Sequence, residues 1–284
     1  MQVHRPAEAG AFLTLAGPLL ERNEARNQLA LGIAGTVREH ADAYETSRFW
    51  VVMDEADPAA AALRTSPYNL VLADPLSETA LANLIDDIAV DDPDVPGIVG
   101  NVPHIEDAAA VLAAATGRRA EMILSQGVYA LHDVRETPSV PGEPREATSD
   151  DRDLLRRWMT DFLVEAVPEP RRHIDQLERT LDVRFSSGDS GFWFWQDGEP
   201  VSLASFSGRT PTGIRVGPVY TPSNVRRRGY ATALVAELSR WLLRQGHRAC
   251  FLFTDLANPT SNRIYVDIGY ERVGDSMEFV FRTD

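Results

Sequence analysis

Val219-Tyr-Thr-Pro-Ser-Asn-Val-Arg-Arg-Arg-Gly-Tyr-Ala-Thr232 joins an apolar run to an amphipathic one through three arginines and a glycine. The run before it, Ile214 to Tyr220, reads as a strand. The run after it, Tyr230 to Gln245, reads as a long helix. Ala231, Leu234, Val235, Leu238, Trp241 and Leu242 share one helical face, and Gly246 is the stop. Between them lies Arg226-x-x-Gly229-x-Ala231. The first N–H groups of a helix have no acceptor inside it, and the helix dipole is positive there, so such a terminus binds anions. Gly229 lets the chain turn and lets an anion approach the backbone. The small side chain of Ala231 keeps the first turn open. Arg226, Arg227 and Arg228 add positive charge to a chain whose net charge is −14. The implied ligand is a diphosphate. The chain has no Gly-Lys-Ser/Thr, so this is no P-loop. A Rossmann fingerprint would need a glycine where Arg226 stands and a parallel βαβ unit, and this order supplies neither.

Downstream, strand-like Ala249 to Thr254 leads to Asp255-Leu-Ala-Asn-Pro-Thr-Ser-Asn-Arg-Ile-Tyr-Val-Asp-Ile-Gly-Tyr270. Asn258 is a good helix cap and Pro259 suits the first helical position. Asn258, Ser261 and Tyr265 are spaced i, i+3, i+7 and share a face, while Ile264 and Ile268 share another. A polar stripe ending in a tyrosine can therefore face a ligand. Two strands, Tyr270 to Val273 and Met277 to Phe281, follow. Upstream, a helix starts near Ala147, a second runs from about Arg171 to Leu181, and a hairpin joins Phe192–Trp195 to Val201–Phe206 across Asp197-Gly-Glu-Pro200. Helices interrupting a mostly antiparallel sheet make this an α+β domain.

The strand–Arg226-x-x-Gly229-x-Ala231–helix unit, followed by strand–Asn258-x-x-Ser261-x-x-x-Tyr265–helix and Gly269-Tyr270, resembles the GNAT superfamily of N-acetyltransferases. The resemblance covers residues 145–284 and is strongest from Ile214 to Tyr270. It implies acetyl-CoA as co-substrate, with no metal, and a primary amine of a small molecule or peptide as acceptor. It implies that Val219 and Tyr220, with Thr221 beyond them, meet the pantetheine arm along the strand backbone. By the same resemblance Arg226, Arg227, Arg228, Gly229, Tyr230, Ala231 and Thr232 hold the pyrophosphate, and Asn258, Ser261 and Asn262 line the pantetheine slot. Tyr265 stands where the family keeps its general acid. Asp255 and, through water, Glu278 are candidate bases. Two departures stand out. Ala231 replaces a frequent second glycine, and no acidic residue lies between Gly213 and Tyr220, where some members carry a glutamate. The missing glutamate leaves a second function class open: a CoA-binding regulatory or interaction protein without turnover.

The remaining sequence repeats this order in outline. Arg48-Phe-Trp-Val-Val-Met-Asp-Glu55 before Ala59–Arg64 resembles Gly191-Phe-Trp-Phe-Trp-Gln-Asp-Gly198 before Val201–Gly208. Tyr68–Ala73, Leu76–Ile88, Ile98-Val99 and Ile105–Thr116 then parallel the later strand, long helix, strand and short helix. An internal duplication accounts for a chain of 284 residues. The loop equivalent to the arginine loop, Asp74-Pro-Leu-Ser-Glu-Thr-Ala80, has no glycine or arginine, and its acids Asp74 and Glu78 would repel a pyrophosphate. We expect two tandem GNAT-like domains, each a mixed, mostly antiparallel sheet flanked by helices. Residues 1–136 are the degenerate one, 137–144, rich in proline, the linker, and 145–284 the catalytic one. The acidic surface argues against nucleic acid and suits a cationic amine. No apolar run approaches a membrane span, the N-terminus has no signal-peptide pattern, and the one cysteine, Cys250, cannot form an internal disulfide. These features lead us to expect a cytoplasmic protein without a membrane partner; they say nothing of oligomeric state.

Overall fold

The computed structural model describes residues 1–283, Arg172 by its backbone alone. The first half runs β1 (Gln2–His4), α1 (Ala9–Leu20), α2 (Glu24–Glu39), β2 (Ser47–Asp54), β3 (Asp57–Thr65), β4 (Leu70–Leu72), α3 (Glu78–Asp91), β5 (Gly97–Asn101), α4 (His104–Ala115) and β6 (Arg119–Leu131). The second runs β7 (Glu143–Glu146), α5 (Arg152–Ala166), α6 (Arg171–Asp175), α7 (Leu177–Ser186), β8 (Gly191–Asp197), β9 (Glu199–Ser207), β10 (Gly213–Tyr220), α8 (Tyr230–Arg244), β11 (Ala249–Asp255), α9 (Pro259–Ile268) and β12 (Glu271–Arg282). Apart from the short extra helix α6, the second order repeats the first element by element. The duplication read in the sequence is therefore present in the structure.

The chain packs as two compact units, residues 1–128 with 273–284 and residues 129–272. In unit 1 the strand order is β1-β2-β3-β4-β5-β12. In unit 2 it is β7-β8-β9-β10-β11, followed by the end of β6. Each half therefore gives up its last strand. The place beside β5 that β6 would fill is taken by β12, antiparallel, from Ser276↔Asn101 to Val280↔Gly97. Tyr129 and Leu131, at the end of β6, are buried in the core of unit 2. The sequence boundaries at 136 and 145 do not describe these units, because periodicity shows where a strand is but not which sheet receives it. Two further details differ from expectation. Residues 271–282 form one strand where two were expected, and Ser276, between the expected two, is buried and donates from its Oγ to the Gly100 carbonyl at 2.9 Å. The proline-rich segment ends in β7, which pairs with β8 from Glu143↔Gln196 to Glu146↔Trp193.

Within each unit, strand alternation feeds two cores. In unit 1, Phe49 and Val51 pack against α1 and α2, while Trp50 and Val52 pack against α3 and α4. In unit 2, Phe192, Phe194 and Tyr220 pack with Leu155, Met159 and Leu181 of α5 and α7. Trp195, Phe206 and Val216 pack with Leu234, Leu238 and Ile268 of α8 and α9. Each unit is a mixed, mostly antiparallel sheet with helices on both faces. In unit 2 the loop after β10 leads directly into α8.

The exchange of β12 makes a specific demand on Gly97. A Cβ there would lie 2.1 Å from the Phe279 carbonyl oxygen and 2.9 Å from the Val280 Cα. Gly97→Val should therefore cost more than about 3 kcal/mol, as overpacking against fixed backbone does at the upper end of its range. Urea unfolding of the full-length chain is the measurement. An unchanged midpoint would mean that β12 does not pair with β5.

Candidate functional site

The site is set by where strand pairing stops. β10 pairs in parallel with β11 from Gly213↔Ala249 to Arg215↔Phe251. On its other side β10 pairs with β9 as far as Tyr220↔Leu203, through a bulge between Val216 and Val219. The bulge contains Gly217-Pro218, and Pro218 has no N–H to give to a ladder. Past Arg215 the β11-facing side of β10 thus runs without a ladder, and its polar backbone groups are open to a ligand that adds like a strand. Ser205 holds the bulge by donating from Oγ to the Gly217 carbonyl at 2.7 Å.

The loop that follows curls for the same end. Arg227 has φ 63 and Gly229 has φ 86, so two left-handed residues lie within three positions. Alternation of this kind gathers backbone N–H groups into an anion nest. Gly229 caps α8 without any side-chain bond, and the first α8 amide bonded back is Ala233, to the Gly229 carbonyl at 3.0 Å. The amides of Tyr230, Ala231 and Thr232 therefore have no acceptor within the helix. Arg226, Arg227 and Arg228 are exposed. Tyr230 instead turns into the core and donates to Asp197 at 2.6 Å, a bond that raises its pKa above the ordinary tyrosine value. It fastens the loop to the β8–β9 turn rather than facing a ligand. Gly229 also has a neighbour that sequence does not suggest: a Cβ there would meet Val140 Cγ1 at 2.8 Å. The glycine makes room for Val140 as well as for a turn.

The second limb of the site lies on α9. Asn258 caps the helix, its side chain accepting from the Ser261 amide at 3.1 Å. Asn262 is fully engaged. Its Nδ2 donates to the carbonyls of Asp255 at 2.8 Å and Asn258 at 2.7 Å, and its Oδ1 accepts from the Tyr129 hydroxyl at 3.2 Å. Asn262 therefore shapes the turn between β11 and α9. Asp255 is half-buried and accepts from the Ala257 amide at 2.8 Å. Tyr265 is half-buried, packs edge-on against buried Tyr270 at 5.8 Å, and makes no hydrogen bond from its hydroxyl among the described residues. Burial pushes its pKa up to about 12. Tyr265 and Val219 pack against the same apolar cluster, on the α8 face of the sheet, whereas Tyr220 points into the opposite core. Glu278 lies in unit 1, where its carboxylate accepts from Asn69 at 2.6 Å.

One group was not legible in sequence. Glu165, near the end of α5, accepts from Arg226 Nη2 at 2.5 Å and stands 3.5 Å from the Tyr220 hydroxyl. No spacing rule joins it to a loop 61 residues away.

The matching place in unit 1 is closed. β4 and β5 pair at Leu70↔Ile98 and Val71↔Val99. Beyond them Asp74 accepts from Arg26 at 2.6 Å and from Asn101 at 3.0 Å, and Arg26 also donates to the Val102 carbonyl at 2.9 Å. Asp74 is thus neutralised by Arg26. Tied strand ends, more than the negative charge expected from sequence, distinguish this place from its counterpart.

Residues 152–270 match the acetyltransferase (GNAT) family. Among solved structures, a Drosophila protein superposes with a TM-score of 0.71 at 14% identity, covering 99% of this chain and 98% of that one. A tandem GNAT protein from the clavulanic acid biosynthesis pathway gives 0.56 at 14% identity, covering 99% and 98%. A GCN5-related N-acetyltransferase from Kribbella flavida gives 0.56 at 17% identity, covering 90% and 94%. At these identities the likeness is one of fold. No curated protein sequence matches the chain.

The two roles of Gly229 can be separated by comparison with Gly198, whose φ is 72 and around which a Cβ would meet nothing within 4 Å. Gly198→Ala should cost about 1 kcal/mol, the left-handed penalty alone. Gly229→Ala should cost about 2 kcal/mol or more, because Val140 must also move. Denaturant midpoints of the two variants give the difference. Equal losses would show that Val140 gives way freely.

Proposed function

We propose that the GNAT acetyltransferase domain formed by residues 152–270 moves an acetyl group from acetyl-CoA to a primary amine of a small molecule or peptide. The observation that carries this reading is the strand slot. Pairing of β10 with β11 ends at Arg215, and the loop beyond leads to amides at the start of α8 that have no acceptor within the helix. Pantetheine would run along Val219, Tyr220 and Thr221. The diphosphate would sit on the nest from Arg226 to Thr232. Asn258 and Ser261 would border the slot from α9, with Asn262 holding their turn in shape.

The reaction is direct attack in a ternary complex, and positioning supplies most of the acceleration. An ammonium first gives a proton to a base, for which Asp255 is the candidate. The neutral amine then attacks the thioester carbonyl carbon. A backbone N–H near Val219 would polarise the carbonyl oxygen. The C–S bond breaks, the nitrogen, cationic after its attack, gives its extra proton to water, and the thiolate leaves beside Tyr265. A hydroxyl with a pKa of about 12 is a weak acid toward a thiolate, since an ordinary thiol has a pKa of about 8.5. Tyr265 therefore acts by hydrogen-bonding the leaving sulfur more than by giving its proton away outright.

In unit 1, the knot of Arg26, Asp74 and Asn101 supports a copy that does not bind CoA, so the full-length chain should bind one equivalent in calorimetry. Two equivalents would refute this. Thiol release from acetyl-CoA with a panel of amines tests the function, and CoA binding without sustained release would favour a regulatory protein.

Tyr265→Phe keeps the ring and its contact with Tyr270 while removing the hydroxyl. A hydrogen bond to a charged group is worth about 1.5–3 kcal/mol, so turnover should fall about 10- to 100-fold. Acetyl-CoA affinity should barely change. Wild-type turnover at saturating substrate, with chemistry limiting, would remove Tyr265 from the mechanism.

A further inference from the structure

Arg226 belongs to the phosphate loop, yet its guanidinium is bound on the other side of the sheet. Nη2 donates to Glu165 at 2.5 Å, Nε donates to the Thr221 carbonyl at 2.8 Å, and the group lies 5.7 Å from the centroid of the Tyr220 ring. The Tyr220 hydroxyl stands 3.5 Å from the same carboxylate, and Trp158 backs the ring at 6.0 Å. A carboxylate, a carbonyl and an aromatic face are each cation binders, and together they hold one cation. That cation comes from the protein itself.

We propose that Arg226 is a stand-in for the acceptor: the diphosphate of acetyl-CoA draws Arg226 off Glu165, and the vacated niche of Glu165 and Tyr220 receives the second, non-reacting ammonium of an aliphatic diamine acceptor. The inference rests on reading the loop as a diphosphate site. Both partners of the ion pair are more than two-fifths exposed, and exposed pairs contribute little. A diphosphate carries more charge than one carboxylate and meets the α8 amides besides, so it wins Arg226. Glu165 then has its carboxylate beside Tyr220, with Asp161 one helical turn earlier on α5. Burial is the largest cause of the raised Tyr220 pKa, and the charges of Glu165 and Asp161 add to it. The hydroxyl therefore stays neutral and leaves the negative field for a cation. Acetyl-CoA binds first, the amine second, and Glu165 selects acceptors that carry a second positive charge besides the reacting amine. No bond is made or broken at Glu165; it is a specificity residue, distinct from the base.

The test uses the full-length chain, with CoA and 1,4-diaminobutane as probes in calorimetry. Glu165 is exposed, so Glu165→Gln should keep the fold, with circular dichroism as the control. The variant should bind CoA about 2- to 5-fold more tightly, because Arg226 no longer has to be withdrawn. In the wild type, saturating CoA should raise diamine affinity at least about 5-fold, and the diamine should raise CoA affinity by the same factor. Glu165→Gln should abolish both effects. If Glu165 only props Arg226 toward the phosphate, the variant binds CoA more weakly, and the proposal falls. It also falls if diamine affinity is the same with and without CoA, or is nil in both. A wild-type chain that binds no CoA overturns the loop reading and the coupling together.

Discussion

A peptide group buried without a hydrogen bond is costly, and unit 2 is organised around a strand whose partner stops short. The pairing of β10 with β11 ends at Arg215↔Phe251, while the pairing with β9 continues to Tyr220. The strand is thus held firmly from one side and left open on the other. Gly217 and Pro218 enforce the change, one by allowing a bulge and one by having no N–H. The loop after the same strand leads to the start of α8, whose first amides have no acceptor within the helix. On α9, Asn262 shapes the turn after β11, and Tyr265 packs edge-on against Tyr270.

Unit 1 uses the same frame with the opening sewn shut. Its strand ends are joined by Arg26, Asp74 and Asn101, and Ser77 caps α3 by accepting from the Ala80 amide at 3.2 Å. Asp74 and the Ala80 amide, which stand where unit 2 has its arginine loop and helix start, have protein partners in unit 1. The duplication kept the packing and lost the vacancy. Apolar alternation on β2 and β8 is common to both units, which is why the repeat survives in hydrophobic pattern and not in the loops.

The sequence was most informative where local chemistry decides structure. The arginine loop, the cap at Asn258, the left-handed Gly229 and Gly269, and the helices at 230–244 and 259–268 all follow from residue type and spacing. It was least informative where distant segments meet. Nothing in β12 marks it as a partner of β5, nothing in Val140 marks it as a neighbour of Gly229, and nothing in α5 marks Glu165 as the counter-ion of Arg226. The roles of Asn258 and Asn262 show a subtler limit. Spacing placed them on the right helix, but whether a polar side chain serves a ligand or the backbone depends on neighbours that only the fold supplies.

The exchanged strand also bears on how the protein is made. A ribosome finishes residues 97–101 long before residues 276–280, yet these two segments are adjacent strands of one sheet. At about 5–20 residues per second the interval is on the order of ten to thirty seconds. Through that time β5 has an unpaired edge and an apolar core behind it, the condition under which nascent chains aggregate or capture a strand from a neighbour. β6, which stands in the first half where β12 stands in the second, is made within that interval. An edge that waits for a strand made so much later is the general setting in which identical chains exchange elements.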